Sequence, residues 1–164
     1  MRYAFLLILV LPLFAAAQDC KPVRETDPYT KETSISSGFI ELDNGSLTID
    51  ADSREIDLFF SLEGTEKCFD NSSMGAVFFE GSKLKLSSRN TGTMNCKGYF
   101  HFTFRNTASV TGLLQKISTQ KMTHIIFTGN NKAETTVTFT PEQQEMIMKL
   151  ADCILKEAKT LIKS

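Results

Sequence analysis

Apolar and polar positions alternate with period two through two segments of the chain, Glu55 to Leu62 and Tyr99 to Arg105. In the first, Ile56, Leu58, Phe60 and Leu62 share one parity against Asp57, Phe59 and Ser61. In the second, Phe100, Phe102 and Phe104 oppose Tyr99, His101, Thr103 and Arg105. Successive side chains of a strand point to opposite faces, so both segments read as strands with one buried face. Phe59 falls on the polar parity and needs a cover of its own. Shorter apolar runs predict further strands at Ile35 to Leu42, Ser46 to Asp50, Gly75 to Glu80, Lys83 to Ser87, Met122 to Thr128 and Glu134 to Thr140. Turn-forming residues separate them at Asp43-Asn44-Gly45, Ala51 to Arg54, Gly81-Ser82 and Gly129-Asn130-Asn131. Leu84, Leu86, Val137 and Phe139 are expected inward, with Lys83 and Lys85 outward.

After Asn106 the apolar spacing changes to three and four. Val110, Leu113, Leu114 and Ile117 predict a short helix that ends near Ser118 and is capped by Thr107 or Ser109. The closing segment opens on Thr140-Pro141-Glu142-Gln143, which offers a Thr cap, Pro at the first helical position and Gln in the capping-box position. From there Ile147, Leu150, Ala151, Ile154, Ala158, Leu161 and Ile162 form one stripe, and Lys149, Asp152, Lys156, Glu157 and Lys159 the other face. The expected fold is α+β: an antiparallel β-sheet of about seven or eight short strands, one short helix, and a C-terminal amphipathic helix packed on the sheet.

The first residues carry a different signal. Arg2 precedes the apolar run Ala4 to Phe14, and Ala15-Ala16-Ala17 follows, the layout of a secretory signal peptide over residues 1–17. An apolar run of that length is too short to span a bilayer, so no membrane span is expected once the signal is removed. Residues 18–33, polar and holding Pro22 and Pro28, read as an extended lead-in, and residues 34–164 as a single α+β domain. With 18 basic and 19 acidic residues the net charge is -1, and no basic stripe recommends nucleic acid as a partner. The 13 phenylalanines and absent tryptophan suit a core of rings that have no polar atom to satisfy.

Four cysteines, Cys20, Cys68, Cys96 and Cys153, lie beyond the signal, and secretion to an oxidising or periplasmic compartment permits two disulfides among them. Cys68 and Cys96 are the preferred pair, since both sit in loops beside strands. Cys153, on the apolar helix face, either joins Cys20 or stays a buried thiol.

Catalytic and metal signatures are sparse. His101 and His124 each lie inside a strand without acid, nucleophile or fellow ligand close in sequence. Ser118-Thr119-Gln120-Lys121 matches S-x-x-K but lacks its companion motif, and Asn71 to Gly75 lacks the first glycine of a nucleophile elbow. Asp50 to Glu55 resembles the start of a calcium loop, with Arg54 where an oxygen ligand belongs and no glycine. Asn44-Gly45-Ser46 and Asn71-Ser72-Ser73 are sequons and mark exposed loops. No catalytic, metal or cofactor-binding residue is assigned. The outward row Tyr99, His101 and Arg105 is a candidate binding surface, because aromatic, imidazole and guanidinium groups favour contacts.

The segment Asp27-Pro28-Tyr29-Thr30-Lys31-Glu32, the following strands, the Leu114 to Ile117 helix and the closing helix together resemble a family of uncharacterised exported bacterial α+β proteins, many from Bacteroidota. The resemblance implies fold and compartment and brings no activity. The expectation for function is therefore an exported non-enzymatic domain that binds a protein, a small ligand or an envelope component. The alternatives are a small hydrolase whose site assembles from dispersed residues, and an inhibitor or immunity-type protein working through an uncovered strand edge.

Overall fold

The computed structural model describes residues 20–64, 67–110 and 112–162. In chain order they form β1 (Val23–Thr26), β2 (Thr33–Ser36), β3 (Ile40–Leu42), β4 (Gly45–Ala51), β5 (Glu55–Leu62), β6 (Met74–Phe79), β7 (Leu86–Arg89), β8 (Tyr99–Arg105), α1 (Gly112–Thr119), β9 (Met122–Thr128), β10 (Glu134–Thr138) and α2 (Pro141–Lys159). The signal segment 1–17 lies outside the described residues.

The strands divide between two antiparallel sheets. The first runs β1-β2-β4-β5-β8, with β3 also on β4; the second runs β10-β9-β6-β7. The parity read from the sequence decides what each strand buries. Ile56, Leu58, Phe60 and Leu62 of β5 and Phe100 and Phe102 of β8 are 0–3% exposed. Their rings meet Phe127 of β9, at 5.2 Å from Phe60 and 4.8 Å from Phe100, so the sheets pack through phenylalanine contacts. The close approach requires Gly75 on β6, where a Cβ would stand 2.4 Å from the Phe102 ring.

The other part of the first sheet's inner face, on β2, β3 and β4, is covered by α2, which also reaches β9. Its capping box forms as read: Thr140 Oγ1 accepts from the Gln143 amide at 3.2 Å, and the Thr140 amide donates to Gln143 Oε1 at 2.8 Å. Ile147, Ala151, Ile154, Leu155 and Ala158 are buried beneath it. The architecture is α+β, with the C-terminal helix packed on sheet.

Among the described residues the chain forms ten strands where about seven or eight are expected. One addition is β1, which is exposed along its whole length and so shows no apolar alternation; its backbone pairing with β2 makes it a strand. Its hairpin turn is organised by Asp27, whose Oδ1 accepts from the Tyr29 and Thr30 amides at 2.7 and 2.8 Å. The other arises because Ile35 to Leu42 is divided. Ser36 pairs with Asp50 and Ile40 with Leu47, so three residues between β2 and β3 face two on β4. This is a bulge, with Gly38 at φ 71°.

Two local expectations need correction. Leu84 is 74% exposed, because β7 begins at Leu86 and the preceding chain is looped by the Ser82 hydroxyl, which donates to the Leu84 carbonyl. Helix α1 starts at Gly112, too late for Thr107 or Ser109 to cap it; the Thr107 hydroxyl donates instead to the Ser109 carbonyl.

Candidate functional site

On the outer face of the first sheet, the β5–β8 register sets Asp57 opposite Thr103, Phe59 opposite His101 and Ser61 opposite Tyr99. Asp57 reaches diagonally to His101, with Oδ2 2.7 Å from Nδ1, and its Oδ1 accepts from the Thr103 hydroxyl at 2.8 Å. The Thr103 and Thr91 hydroxyls lie 2.7 Å apart. A carboxylate at Nδ1 makes that nitrogen the donor and, in the neutral ring, leaves Nε2 as the acceptor. Phe59 receives the cover its parity demands: its ring lies 5.4 Å from Tyr99, edge-on, and 4.7 Å from His101. The group stays reachable, with the His101 side chain 31% exposed, Asp57 21% and Tyr99 37%.

Of the three residues read as a surface, Tyr99 and His101 are joined through Phe59. Arg105 stands apart, about 13 Å along the strand from His101, in a shallow groove with Arg54, Glu55, Thr91 and Thr103. Sequence reasoning missed Asp57 and Phe59 as site members. Their outward parity was visible, but the register that puts Asp57 beside a residue 44 positions away was not.

The free edge of β8 is occupied. Asn90 Oδ1 accepts from the His101 amide at 2.8 Å, and Thr91 donates to the His101 carbonyl from both its amide and its hydroxyl, at 3.1 Å each. Asn95 brackets Tyr99, accepting from its amide at 3.0 Å and donating to its carbonyl at 2.9 Å. Gly92 lies against the imidazole, where a Cβ would come within 2.6 Å of Cδ2. The segment therefore supports the His101 ring from the side and removes β8 as a docking edge.

The other candidates resolve locally. His124 stacks on Phe78 at 4.2 Å, and its Nδ1 lies 3.0 Å from the Thr123 hydroxyl. In the S-x-x-K stretch, Ser118 donates to the Gln115 carbonyl, while Lys121 pairs with Glu145 at 2.9 Å. The hydrogen bond and charge of Glu145 raise the Lys121 pKa, which keeps that amine protonated and unable to take a proton from a hydroxyl. In the calcium-like stretch, Asp52 Oδ1 accepts from the Arg54 and Glu55 amides at 2.6 and 2.8 Å, an Asx turn joining β4 to β5. Both sequon asparagines, Asn44 and Asn71, are exposed in turns. Among the described residues, no three His, Cys, Asp or Glu side chains converge to hold a metal ion.

Both disulfides form. Cys68 joins Cys96 as preferred, and Cys20 joins Cys153, so Cys153 is not a free thiol. Two such bridges suit an oxidising compartment, extracellular or periplasmic. No helix among the described residues is long and apolar enough to cross a membrane. No protein-family model matches the chain, and no curated protein or solved structure does either.

Proposed function

We propose that this is an exported binding domain, periplasmic or released, and that the outer face of β5 and β8 receives a hydroxyl-rich ligand of the glycan type. The observation that carries the reading is the half-exposed Phe59–Tyr99 pair beside the Asp57–His101–Thr103 network. Apolar ring faces of a sugar stack on aromatic side chains, while its hydroxyls need fixed acceptors and donors. Asp57 and the Nε2 of His101 supply acceptors, and Tyr99 supplies a hydroxyl. The alternation of β5 and β8 fixes all of these on one flat surface, so little is reorganised on binding. The two disulfides support the exported setting, and the family resemblance supports it further.

A second reading, a small hydrolase, is favoured by one contact, the 2.7 Å approach of Asp57 to His101. Such a pair orients an imidazole for general-base work on water or a hydroxyl. Titration of the mature protein with a panel of neutral and amino-sugar oligosaccharides, read by calorimetry, tests the binding reading. At least one should bind with saturation, and Tyr99→Ala and Asp57→Asn should each weaken it tenfold or more at unchanged melting temperature. A panel without a saturating ligand, or variants that bind as wild type does, sinks the reading. Ester or glycoside turnover that disappears in His101→Ala replaces it with the hydrolase.

A further inference from the structure

Arg105 ends the outward row of β8, exposed, and among the described residues its guanidinium makes no hydrogen bond, ion pair or ring contact. Glu55 stands opposite it in the β5–β8 register, but the carboxylates of that corner gather on another cation. Glu32 Oε1 lies 2.6 Å from Arg54 Nη2. That hydrogen bond and the charges of Glu32, Asp52 and Glu55 all raise the Arg54 pKa. Arg54 is thus engaged by acids of its own chain, and Arg105 is the guanidinium left over in the groove they share.

The groove is not separate from the aromatic surface. Thr103 lines it, and the Thr103 hydroxyl donates to Asp57 Oδ1 at 2.8 Å, the same carboxylate that meets His101. Tyr99, His101, Thr103 and Arg105 therefore form one line on one face, about 20 Å long from the first to the last at the rise of a strand. That span exceeds a single pyranose ring, so a ligand touching both ends is an oligosaccharide. The two ends ask for different chemistry. At the Tyr99 end, rings and acceptors suit a neutral sugar. At the other, a guanidinium offers only donors, in a fork that a hydroxyl fills on one prong and a carboxylate on two.

We infer that the glycan taken by the β5–β8 face is acidic, an oligosaccharide that lays one sugar on Phe59 and Tyr99 and sets a uronate carboxylate on Arg105. The inference rests on the glycan reading of that face and adds the charge of the ligand. Asp57 and Glu55 along the same line repel an acid on every sugar, so the uronate is set apart from its neighbours by uncharged units.

The test is calorimetric titration of the oxidised mature protein with tetrasaccharides of hyaluronan and of glucuronoxylan, each beside its methyl ester. At least one acid should bind tenfold or more tightly than its ester, and the excess should shrink as added salt screens the charge. Arg105→Gln should bring that acid and its ester to equal affinity at an unchanged melting temperature, since the side chain holds nothing in the fold. Arg105→Glu should put the ester ahead, and Tyr99→Ala should weaken both. Acid and ester that bind alike, or a preference that survives Arg105→Gln, overturn the inference and leave the face to neutral glycans. Binding of a neutral oligosaccharide with none of the acids has the same meaning. Saturation by neither acids nor neutral sugars removes the inference and the glycan reading together.

Discussion

Replacing Gly75 by alanine probes the contact on which the two-sheet packing rests. The new methyl would lie 2.4 Å from Phe102 Cζ, 3.0 Å from Cε1 and 3.4 Å from Phe100 Cζ. Carbon atoms rest about 3.5–4.0 Å apart, so the Phe102 ring must retreat by more than about 1 Å. Behind it stand Phe60, at 5.9 Å between centroids, and Phe100 at 5.0 Å, both fully buried, which leaves no free space for the movement. Overpacking of this kind costs about 1–3 kcal/mol, against which relief of the glycine's backbone entropy returns about 0.5–1 kcal/mol. The net loss, about 1 kcal/mol at the centre of the resulting range, should lower the urea midpoint by about 0.5 M, taking a slope near 2 kcal/mol/M. With no tryptophan in the chain, far-ultraviolet circular dichroism is the direct readout. Phe102→Leu removes the atoms the methyl strikes, so Gly75→Ala combined with Phe102→Leu should cost less than the two single changes added together. A Gly75→Ala midpoint at or above wild type, or strict additivity in the double variant, would refute the close approach of β6 to β8.

The two disulfides should differ in weight. By loop-closure entropy, replacing Cys20 and Cys153 together by alanine costs about 5 kcal/mol for a separation of 133 residues, and replacing Cys68 and Cys96 costs about 3–4 kcal/mol for 28. Guanidinium unfolding of the two double variants should rank them in that order, and the reverse order would count against the loop-entropy account. Asn106→Ala should cost about 2 kcal/mol in the same assay, since Asn106 Nδ2 donates to the carbonyls of Asp52 at 2.8 Å and Ala158 at 2.7 Å, tying the β4–β5 turn to the end of α2. A loss below about 0.5 kcal/mol would show that these bonds are exchanged for water at no cost.

What could be read from the chain follows the range of the physics behind each signal. The buried parity of β5 and β8 is a local property, set by alternation within seven or eight residues, and every inward position read there is buried. The α2 cap is equally local, since Thr140 and Gln143 meet within one turn. Register is not local. Asp57 and His101 are ordinary strand residues until β5 and β8 align, and nothing within either segment specifies a diagonal contact 44 residues apart. The same limit hid β1, whose four exposed residues show no apolar alternation and are placed by pairing with β2 and by the Arg24–Glu157 ion pair.

The bulge at Phe39 is an intermediate case. Ser36-Ser37-Gly38 interrupts an otherwise apolar run, and a glycine inside a strand pattern is a known sign of a bulge. Read with that rule, the run from Ile35 to Leu42 already holds the break, although the rule cannot say that the displaced ring lands beside a helix face. A bulge shifts parity by one, so Ile35 and Ile40, five residues apart, both point into the core, and Phe39, which an unbroken strand would bury, points out. Deleting Gly38 would restore an even count, so that Ile35, Ile40 and Leu42 share the inward parity of an unbroken strand while Phe39 stays outward. The bulge therefore adds a residue to the strand without changing which side chains meet the helix-covered core, and the exposed aromatic is a consequence of keeping Ile40 and Leu42 inside.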